Sequence, residues 1–128
     1  MNPIFVEFDT ALRIHELSLK EFGGLAGVRS AELLDSALEQ PRATFGGEFL
    51  HEDLFSMAAA YLFHIVKNHP FLDGNKRAGL AVTLAFLDRN GYPIEQPSPA
   101  LFDLTIAVAE GRLDKPSVAR IFRDLARS

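Results

Sequence analysis

The chain of 128 residues contains no cysteine, no excess of positive charge and no long apolar run. Without cysteine there is no disulfide, no thiolate nucleophile and no cysteine metal site, which fits a reducing compartment. Thirteen Lys and Arg against seventeen Asp and Glu give a net charge of −4, so no global positive field is available to bind a nucleic-acid backbone. We therefore expect no direct nucleic-acid partner.

Membrane and export signals are also missing. The apolar runs 57–63 and 78–87 are shorter than the roughly 20 residues that cross a bilayer. The first residues, Met1-Asn2-Pro3, do not form a basic segment followed by an apolar one, which disfavours a signal peptide. The expected location is cytoplasmic, with no membrane partner.

What the chain does contain is enough apolar material for one core. Hydrophobic residues make up 48% of the sequence, eleven of them Phe, and the length makes two domains improbable. No internal repeat, low-complexity segment or long linker interrupts the chain. These features predict a single domain over residues 1–128.

Helical periodicity dominates and predicts an all-α, compact bundle of about six helices. Asp9 or Thr10 is the expected cap of the first helix, Ser30 that of the second, and Ser98-Pro99 opens the fifth. Helices three and four are apolar around nearly their whole circumference, which is typical of buried central helices. The predicted helices span residues 9–22, 30–40, 53–68, 76–90, 98–111 and 116–126.

One extended piece is predicted within residues 42–49. Gly46 and Gly47 stand between two short β-compatible pairs, the first of which is Thr44-Phe45, so the segment can form a small hairpin. It lies just before the third helix. On the residues alone, a simple turn is an equally good interpretation.

The most informative stretch is residues 69–77, which read His-Pro-Phe-Leu-Asp-Gly-Asn-Lys-Arg. It supplies a possible base, a carboxylate, a glycine-flanked amide and two cations, the groups that phosphoryl chemistry needs. Pro70 disfavours helical geometry at His69, so helix three should end near Asn68 and release His69 at its carboxyl end. Phe71 has no chemical role and is expected to anchor the loop in the core.

Each polar residue of this stretch also has a purely structural interpretation. His69 can simply end a helix, and Asp73 can either cap the fourth helix or hold Mg²⁺ near a phosphate. Gly74 lets the backbone approach a ligand, and the amides after it lie at a helix N-terminus, where anions bind. Lys76 and Arg77 oppose the helix dipole there unless an anion compensates them, although both can be merely solvated.

These residues resemble the Fic/Doc family, whose members place a His-Pro-Phe, acidic residue, Gly-Asn core between two central helices. The Doc (death-on-curing) branch is the most similar, and the resemblance covers most of residues 9–92. Outside the core, it is carried by Gly23-Gly24, Val28-Arg29, the run Leu33-Leu34-Asp35-Ser36-Ala37-Leu38, Met57-Ala58-Ala59, Phe86-Leu87 and Asn90-Gly91.

Two departures from the AMP-transferring Fic enzymes suggest the reaction. Those enzymes have Gly-Asn-Gly-Arg followed three residues later by a second Arg, whereas this chain has Lys76 and Leu80 at the two differing positions. Lys76 adds bulk and charge, and Leu80 cannot bind a terminal phosphate. The Doc-like pattern implies a reversed nucleotide whose γ-phosphoryl group lies beside the base, and hence protein phosphorylation. AMP transfer and a catalytically inactive binding module are the alternatives.

The resemblance also implies roles for individual residues. His69 would take the proton of a Thr or Ser hydroxyl, Asp73 would hold Mg²⁺, and ATP would be the phosphoryl donor. The residues implied to bind the phosphates are Gly74, Asn75, Lys76 and Arg77, and those implied to form a target-docking flap are Thr44, Phe45, Gly46 and Gly47.

The partners are likewise implied by the resemblance. The target would be a translation factor, elongation factor Tu, whose phosphorylation arrests translation. The internal inhibitory pattern of some Fic proteins, Ser or Thr, three residues, Glu, then Gly or Asn, has no match here; Ser18 comes closest. Inhibition by a small antitoxin, whose disordered tail folds as a helix on the toxin, is therefore expected.

Overall fold

The structure is a computed structural model that describes residues 2–96 and 98–127. Six α-helices and a two-stranded sheet occur within these ranges, which confirms the predicted helical bundle with a hairpin. Each helix begins and ends within two residues of its predicted boundary. In chain order the elements are α1 (Phe8–Phe22), α2 (Ala31–Glu39), a 3₁₀ turn (Gln40–Arg42), β1 (Thr44–Phe45), β2 (Glu48–Phe49), α3 (Leu54–Asn68), α4 (Asn75–Arg89), α5 (Pro99–Ala109) and α6 (Lys115–Arg127).

Side-chain caps explain most of the helix starts. The hydroxyl of Ser30 accepts a hydrogen bond from an amide in the first turn of α2, and Ser98 does the same for α5, as predicted. The expected cap of α1 is wrong. Its N-cap is Glu7, which makes no side-chain hydrogen bond to the helix. Asp9 lies inside the first turn, where its negative charge interacts favourably with the helix dipole.

Helices α3 and α4 form the centre of the molecule. Gly79 of α4 lies against Val66 of α3, and a Cβ at Gly79 would be 3.1 Å from a methyl carbon of Val66, so glycine permits this close approach. Fully buried aromatic residues fill the surrounding core: Tyr61, Phe71, Phe86 and Phe122. The backbone N–H of Val6 donates to the hydroxyl of Tyr61 at 2.9 Å, which ties the start of the chain to α3.

The hairpin forms as predicted. Strands β1 and β2 are antiparallel, with Thr44 opposite Phe49 and Phe45 opposite Glu48. The turn between them is Gly46-Gly47, with φ of +60° and +82°, a conformation that glycine adopts without strain.

Among the described residues, no helix is long and apolar enough to cross a membrane.

Candidate active site

The 69–77 stretch forms the loop between α3 and α4 and the first turn of α4. Helix α3 ends at Asn68, as predicted, and His69 follows it in the left-handed conformation, at φ 53° and ψ 54°. Within the described ranges, His69 is the one residue other than glycine that has a positive φ. This conformation costs an ordinary residue about 1–2 kcal/mol, so the contacts around His69 must hold it there.

Arg29 supplies one such contact. Its Nε donates to the carbonyl oxygen of His69 at 2.7 Å, and its Nη2 donates to that of Asn68 at 2.8 Å. These carbonyls lie at the negative end of the α3 dipole, where a cation is favourable. A side chain from the segment before α2 therefore fixes the backbone of the proposed base.

The same segment, residues 27–30, runs beside the loop and is called the strap below. The N–H groups of Arg29 and Ser30 both donate to the carbonyl of Pro70, at 2.7 and 3.0 Å. The N–H of Leu72 donates to the carbonyl of Gly27 at 3.0 Å. Backbone pairing of this kind fixes the path of the loop without restricting the side chains that point away from it.

Phe71 anchors the loop, as predicted. It is fully buried, and the ring of His15 from α1 stacks on it with a centroid distance of 3.8 Å. His15 is buried and packs in the core beside Phe71. Its Nε2 also lies 2.9 Å from the carbonyl oxygen of Asp73, which can only accept, so this nitrogen carries the proton.

Asn75 closes the loop on itself. Its Oδ1 accepts from the N–H of Phe71 at 2.9 Å, and its Nδ2 donates to the carbonyl of the same residue at 3.0 Å. The side chain is buried, so this pair of hydrogen bonds satisfies two backbone groups that cannot bond to water instead. Asn75 was predicted to bind phosphate; with its side chain engaged, only its backbone N–H is left for that role.

Asp73 is exposed, and its carboxylate is held by two backbone amides. Leu25 donates to Oδ2 at 3.0 Å and Gly74 to Oδ1 at 2.9 Å. The hydrogen bond from Leu25, then that from Gly74, lowers the pKa of Asp73 below its usual range, and the nearby Arg77 contributes in the same direction. The interpretation of Asp73 as the cap of α4 is wrong, because Gly74 is the N-cap and no side chain caps that helix.

The first turn of α4 offers donors to an anion. The first backbone hydrogen bond of this helix runs from the N–H of Ala78 to the carbonyl oxygen of Gly74, so the N–H groups of Asn75, Lys76 and Arg77 have no acceptor within the helix. The side chains of Lys76 and Arg77 are exposed. The guanidinium of Arg77 stacks over the ring of Phe22, 4.3 Å from its centroid, which orients the cation at the end of α1.

A pocket of about 560 Å³ unites these groups, and its volume is in the range of small-molecule sites. One part is polar and contains every residue of the predicted phosphate and base set. The other part is apolar and belongs to α3, α4 and α5. The lining consists of Val66, His69, Leu72, Asp73, Gly74, Asn75, Lys76, Arg77, Leu80, Phe102, Thr105, Ile106 and Ala109.

The predicted flap is not part of this pocket. The hairpin precedes the N-terminus of α3, whereas His69 follows its C-terminus, and a 15-residue helix is about 20 Å long. Phe49 of the hairpin contacts Phe5, which stacks on Phe86 near the far end of α4. The structure thus gathers six of the predicted site residues and leaves Thr44, Phe45, Gly46 and Gly47 apart from them.

His51 and His64 both lie outside the pocket. Nε2 of His64 is 3.0 Å from Nζ of Lys115, which must be the donor. Burial first, then Lys115 and His51, lowers the pKa of His64 from 6.5 to about 4, so this imidazole is neutral at physiological pH. Among the described residues, no group of three or more His, Asp or Glu could hold a metal ion.

Sequence reasoning missed the residues that hold the loop from a distance. Arg29, His15 and Leu25 contact the loop at sequence separations of 40 to 58 positions, and no local pattern indicates such pairs. Phe22, the last residue of α1, is half exposed and supports Arg77. An exposed aromatic residue at a helix end, next to two glycines, was the one available signal.

Comparisons with known proteins identify the family of this helical bundle. The sequence profile of the Fic/DOC family matches residues 5–87, and the chain belongs to the Fic/Doc family.

Two curated relatives are similar over different lengths. The protein kinase Doc of Escherichia phage P1 is 34% identical over 114 residues, which cover 89% of each chain. The toxin Doc of Mycolicibacterium smegmatis is 43% identical over 73 residues, which cover 57% of this chain and 56% of the relative.

Proposed function

We propose that this protein is a Doc-like toxin that transfers the γ-phosphoryl group of ATP to a Thr or Ser hydroxyl of a translation factor. Elongation factor Tu is the proposed target, and arrest of translation is the proposed outcome. Both relatives carry the name Doc, and one is named a protein kinase. These names and the residues that line the pocket both support this function.

The observation that carries the proposal is the apolar surface around Leu80. In AMP-transferring Fic enzymes an Arg at this position binds the terminal phosphate of the nucleotide. Here Leu80 lines the pocket together with apolar neighbours such as Val66 and Ile106. An apolar surface cannot solvate a phosphate, so the phosphates are better placed at the start of α4, beside Lys76 and Arg77. This arrangement favours transfer of the terminal phosphoryl group.

In the proposed reaction, the hydroxyl oxygen of the target attacks the γ-phosphorus while His69 accepts the hydroxyl proton. A new P–O bond to the target forms as the bond between the γ-phosphorus and the bridging oxygen breaks, and ADP leaves with that electron pair. The free amides of α4 and the cations Lys76 and Arg77 stabilise the charge on the phosphoryl oxygens. His69 then releases its proton to the solvent.

The chemistry of Asp73 fits a bound Mg²⁺. Its pKa is lowered, so the carboxylate is ionised, and each oxygen accepts one N–H and keeps a further lone pair. Magnesium is usually held by one or two carboxylates together with substrate phosphates, so Asp73 can hold it when nucleotide is present. The metal would neutralise negative charge on the phosphates of the nucleotide.

Two partner roles remain proposals. A small antitoxin with a disordered tail that folds on this protein would restrain the toxin, since the sequence lacks an internal inhibitory segment. The hairpin, with Phe45 exposed, would dock an extended segment of the target by strand addition. Growth arrest on expression, relieved by the gene product of a short neighbouring reading frame, is the expected result for the antitoxin.

Isotope position tests the reaction. The protein is incubated with elongation factor Tu and ATP labelled at either the γ- or the α-phosphate. We expect label in the target from γ-labelled ATP and none from α-labelled ATP. Label from the α-position alone would show AMP transfer and overturn the proposal, and no transfer from either position would support an inactive binding module.

Replacement of His69 tests the proposed base. His69→Ala should lower the transfer rate by about 100-fold or more, because general-base catalysis commonly contributes that factor, and should abolish growth arrest. His64→Gln is the matched control, since His64 is a histidine of α3 outside the pocket and its replacement should leave the rate nearly unchanged. Toxicity retained by His69→Ala in a folded protein would remove His69 from this role.

A further inference from the structure

His15 is a buried histidine that the proposed reaction does not use. It belongs to α1 and is 3% exposed, and its ring lies flat on the ring of Phe71, with an angle of 9° between the two planes. An apolar side chain could fill this space without the cost of burying ring nitrogens. The hydrogen bond from Nε2 to the carbonyl oxygen of Asp73 is therefore the contact that an apolar residue could not supply.

That carbonyl belongs to a peptide group whose other end faces the carboxylate of Asp73. A peptide group is planar, so the carbonyl of Asp73 and the N–H of Gly74 point in opposite directions and turn together. Nε2 of His15 lies 2.9 Å from the oxygen, and the N–H donates to Oδ1 of Asp73 at 2.9 Å. Through the peptide, His15 thus fixes the direction of a donor that holds the carboxylate.

The backbone at residue 74 does not fix this peptide by itself. Gly74 has a φ of +75°, and glycine adopts positive and negative φ about equally readily, so the plane can turn with little strain. A turned peptide would point its carbonyl oxygen at the carboxylate of Asp73, and the repulsion would displace that carboxylate. The N–H of Leu25 holds only the other oxygen, Oδ2.

We propose that His15 is a positioning residue, which holds the peptide between Asp73 and Gly74 and thereby the carboxylate proposed to bind Mg²⁺. This inference rests on the proposed function and adds to it a residue of α1 that does not line the pocket. The role requires the donor at Nε2, whereas stacking on Phe71 requires only a flat ring. Substitutions can therefore separate the two contributions.

Three variants separate the donor from the ring. His15→Phe keeps the stacking and removes the donor, and His15→Met removes both. His15→Gln removes the ring but keeps an N–H donor at a similar distance from the backbone. Gln and Met have side chains of similar length, so their comparison isolates the donor even if the Phe variant does not fold. Thermal melting identifies the folded variants.

Hydrogen exchange of the Gly74 amide measures the peptide without any reaction. When the donor is lost, this amide should exchange about fivefold faster in the Phe and Met variants, because a hydrogen bond of this kind contributes roughly that factor. The Gln variant should stay within about twofold of the wild type. In the Phe variant, the N–H of Phe71, which donates to Asn75, is the internal control and should keep its rate.

Kinetics test the same role in the proposed reaction. At a fixed low Mg²⁺ concentration, the Phe and Met variants should have a kcat about tenfold lower than the wild type, since misplaced reacting groups lose rate of this order. The KM for the target should not change, and excess Mg²⁺ should restore part of the rate. In an Asp73→Ala background, His15→Phe should lower kcat no further, because His15 acts through that carboxylate.

Different results overturn the two proposals. If γ-label is transferred and the Phe variant matches the wild type in Gly74 exchange or in kcat, His15 only packs and the positioning role is wrong. Equal losses in the Gln and Met variants would show that the ring matters and not the donor, which also overturns this role. If Gly74 exchange follows the donor but label comes from the α-position or from neither, the kinase is wrong and His15 still positions the carboxylate.

Discussion

The 69–74 loop and the 44–49 hairpin lie at opposite ends of α3, and they are held in opposite ways. The loop is joined to the strap at Pro70 and Leu72, and its Phe71 is fully buried. The hairpin is held by its own strand pairing and by the contact of Phe49 with Phe5, and its Phe45 is 81% exposed. A segment with many contacts to distant parts of the chain has a fixed shape, whereas a segment with few such contacts can adapt its shape.

The largest loss of stability is expected for Asn75→Ala. This change leaves the buried N–H and C=O of Phe71 without partners, which should cost about 2–4 kcal/mol of unfolding free energy and lower the transfer rate. Urea denaturation measures the cost. Asn75→Asp, which keeps the acceptor for the Phe71 N–H but loses the donor, should fall between the alanine variant and the wild type. An Asn75→Ala protein as stable as the wild type would show that the loop is held no more firmly than the hairpin.

A smaller loss is expected for Arg29→Ala. Its guanidinium makes two charge-assisted hydrogen bonds at the end of α3, and their removal from an exposed site should cost about 1–2 kcal/mol. Arg13→Ala is the control, because Arg13 makes an exposed ion pair with Glu16 that should contribute under about 0.5 kcal/mol. Equal midpoints of denaturation for the two variants would show that the clamp on His69 does not contribute to stability.

The six helices could be predicted because periodicity and caps are local signals. Ser30 and Ser98 marked helix starts that the structure reproduces. The loop could be predicted as a site because its residue types are adjacent in sequence. Its supports could not, since the hydrogen bond from His15 to Asp73 joins residues 58 positions apart.

The position of the hairpin relative to the site could also not be predicted from the sequence. Its place just before α3 suggested nearness to His69, but the two segments are at opposite ends of that helix. Closeness along the chain does not give closeness in space when a rigid 15-residue helix lies between two segments.

His64 of α3 should make the stability of the protein depend on pH. Its pKa is about 4 in the folded protein and 6.5 ordinarily, so between these values the unfolded chain binds a proton that the folded chain does not. Stability is therefore complete above about pH 6.5 and should fall as the pH is lowered towards 4. Denaturation midpoints across this range measure the effect, and half-exposure of the ring reduces it.

His64→Gln is the variant that isolates this effect. Glutamine keeps an acceptor for Lys115 but does not titrate, so the fall in stability between pH 6.5 and 4 should be smaller than in the wild type. At pH 8 the two proteins should have similar midpoints. An unchanged pH profile would assign the dependence to other groups.

The smallest effect on stability is expected for Phe45→Ala. The side chain is mostly exposed, so its loss should change the unfolding free energy by under about 0.5 kcal/mol. If the hairpin docks the target, the KM for the target protein should rise while the KM for ATP stays constant. A loss of more than about 1 kcal/mol would mean that the hairpin is held as firmly as the loop.

The strap and the loop that it holds lie on opposite sides of the hairpin in the chain. A backbone cut at Gly46-Gly47 would leave His15, Arg29 and the strap on one fragment and residues 69–77 on the other. Neither fragment would contain a complete site, because the backbone partners of Pro70 and Leu72 would be on the other piece. We therefore expect two such fragments to form the site only when they associate, so that its formation would depend on their concentration.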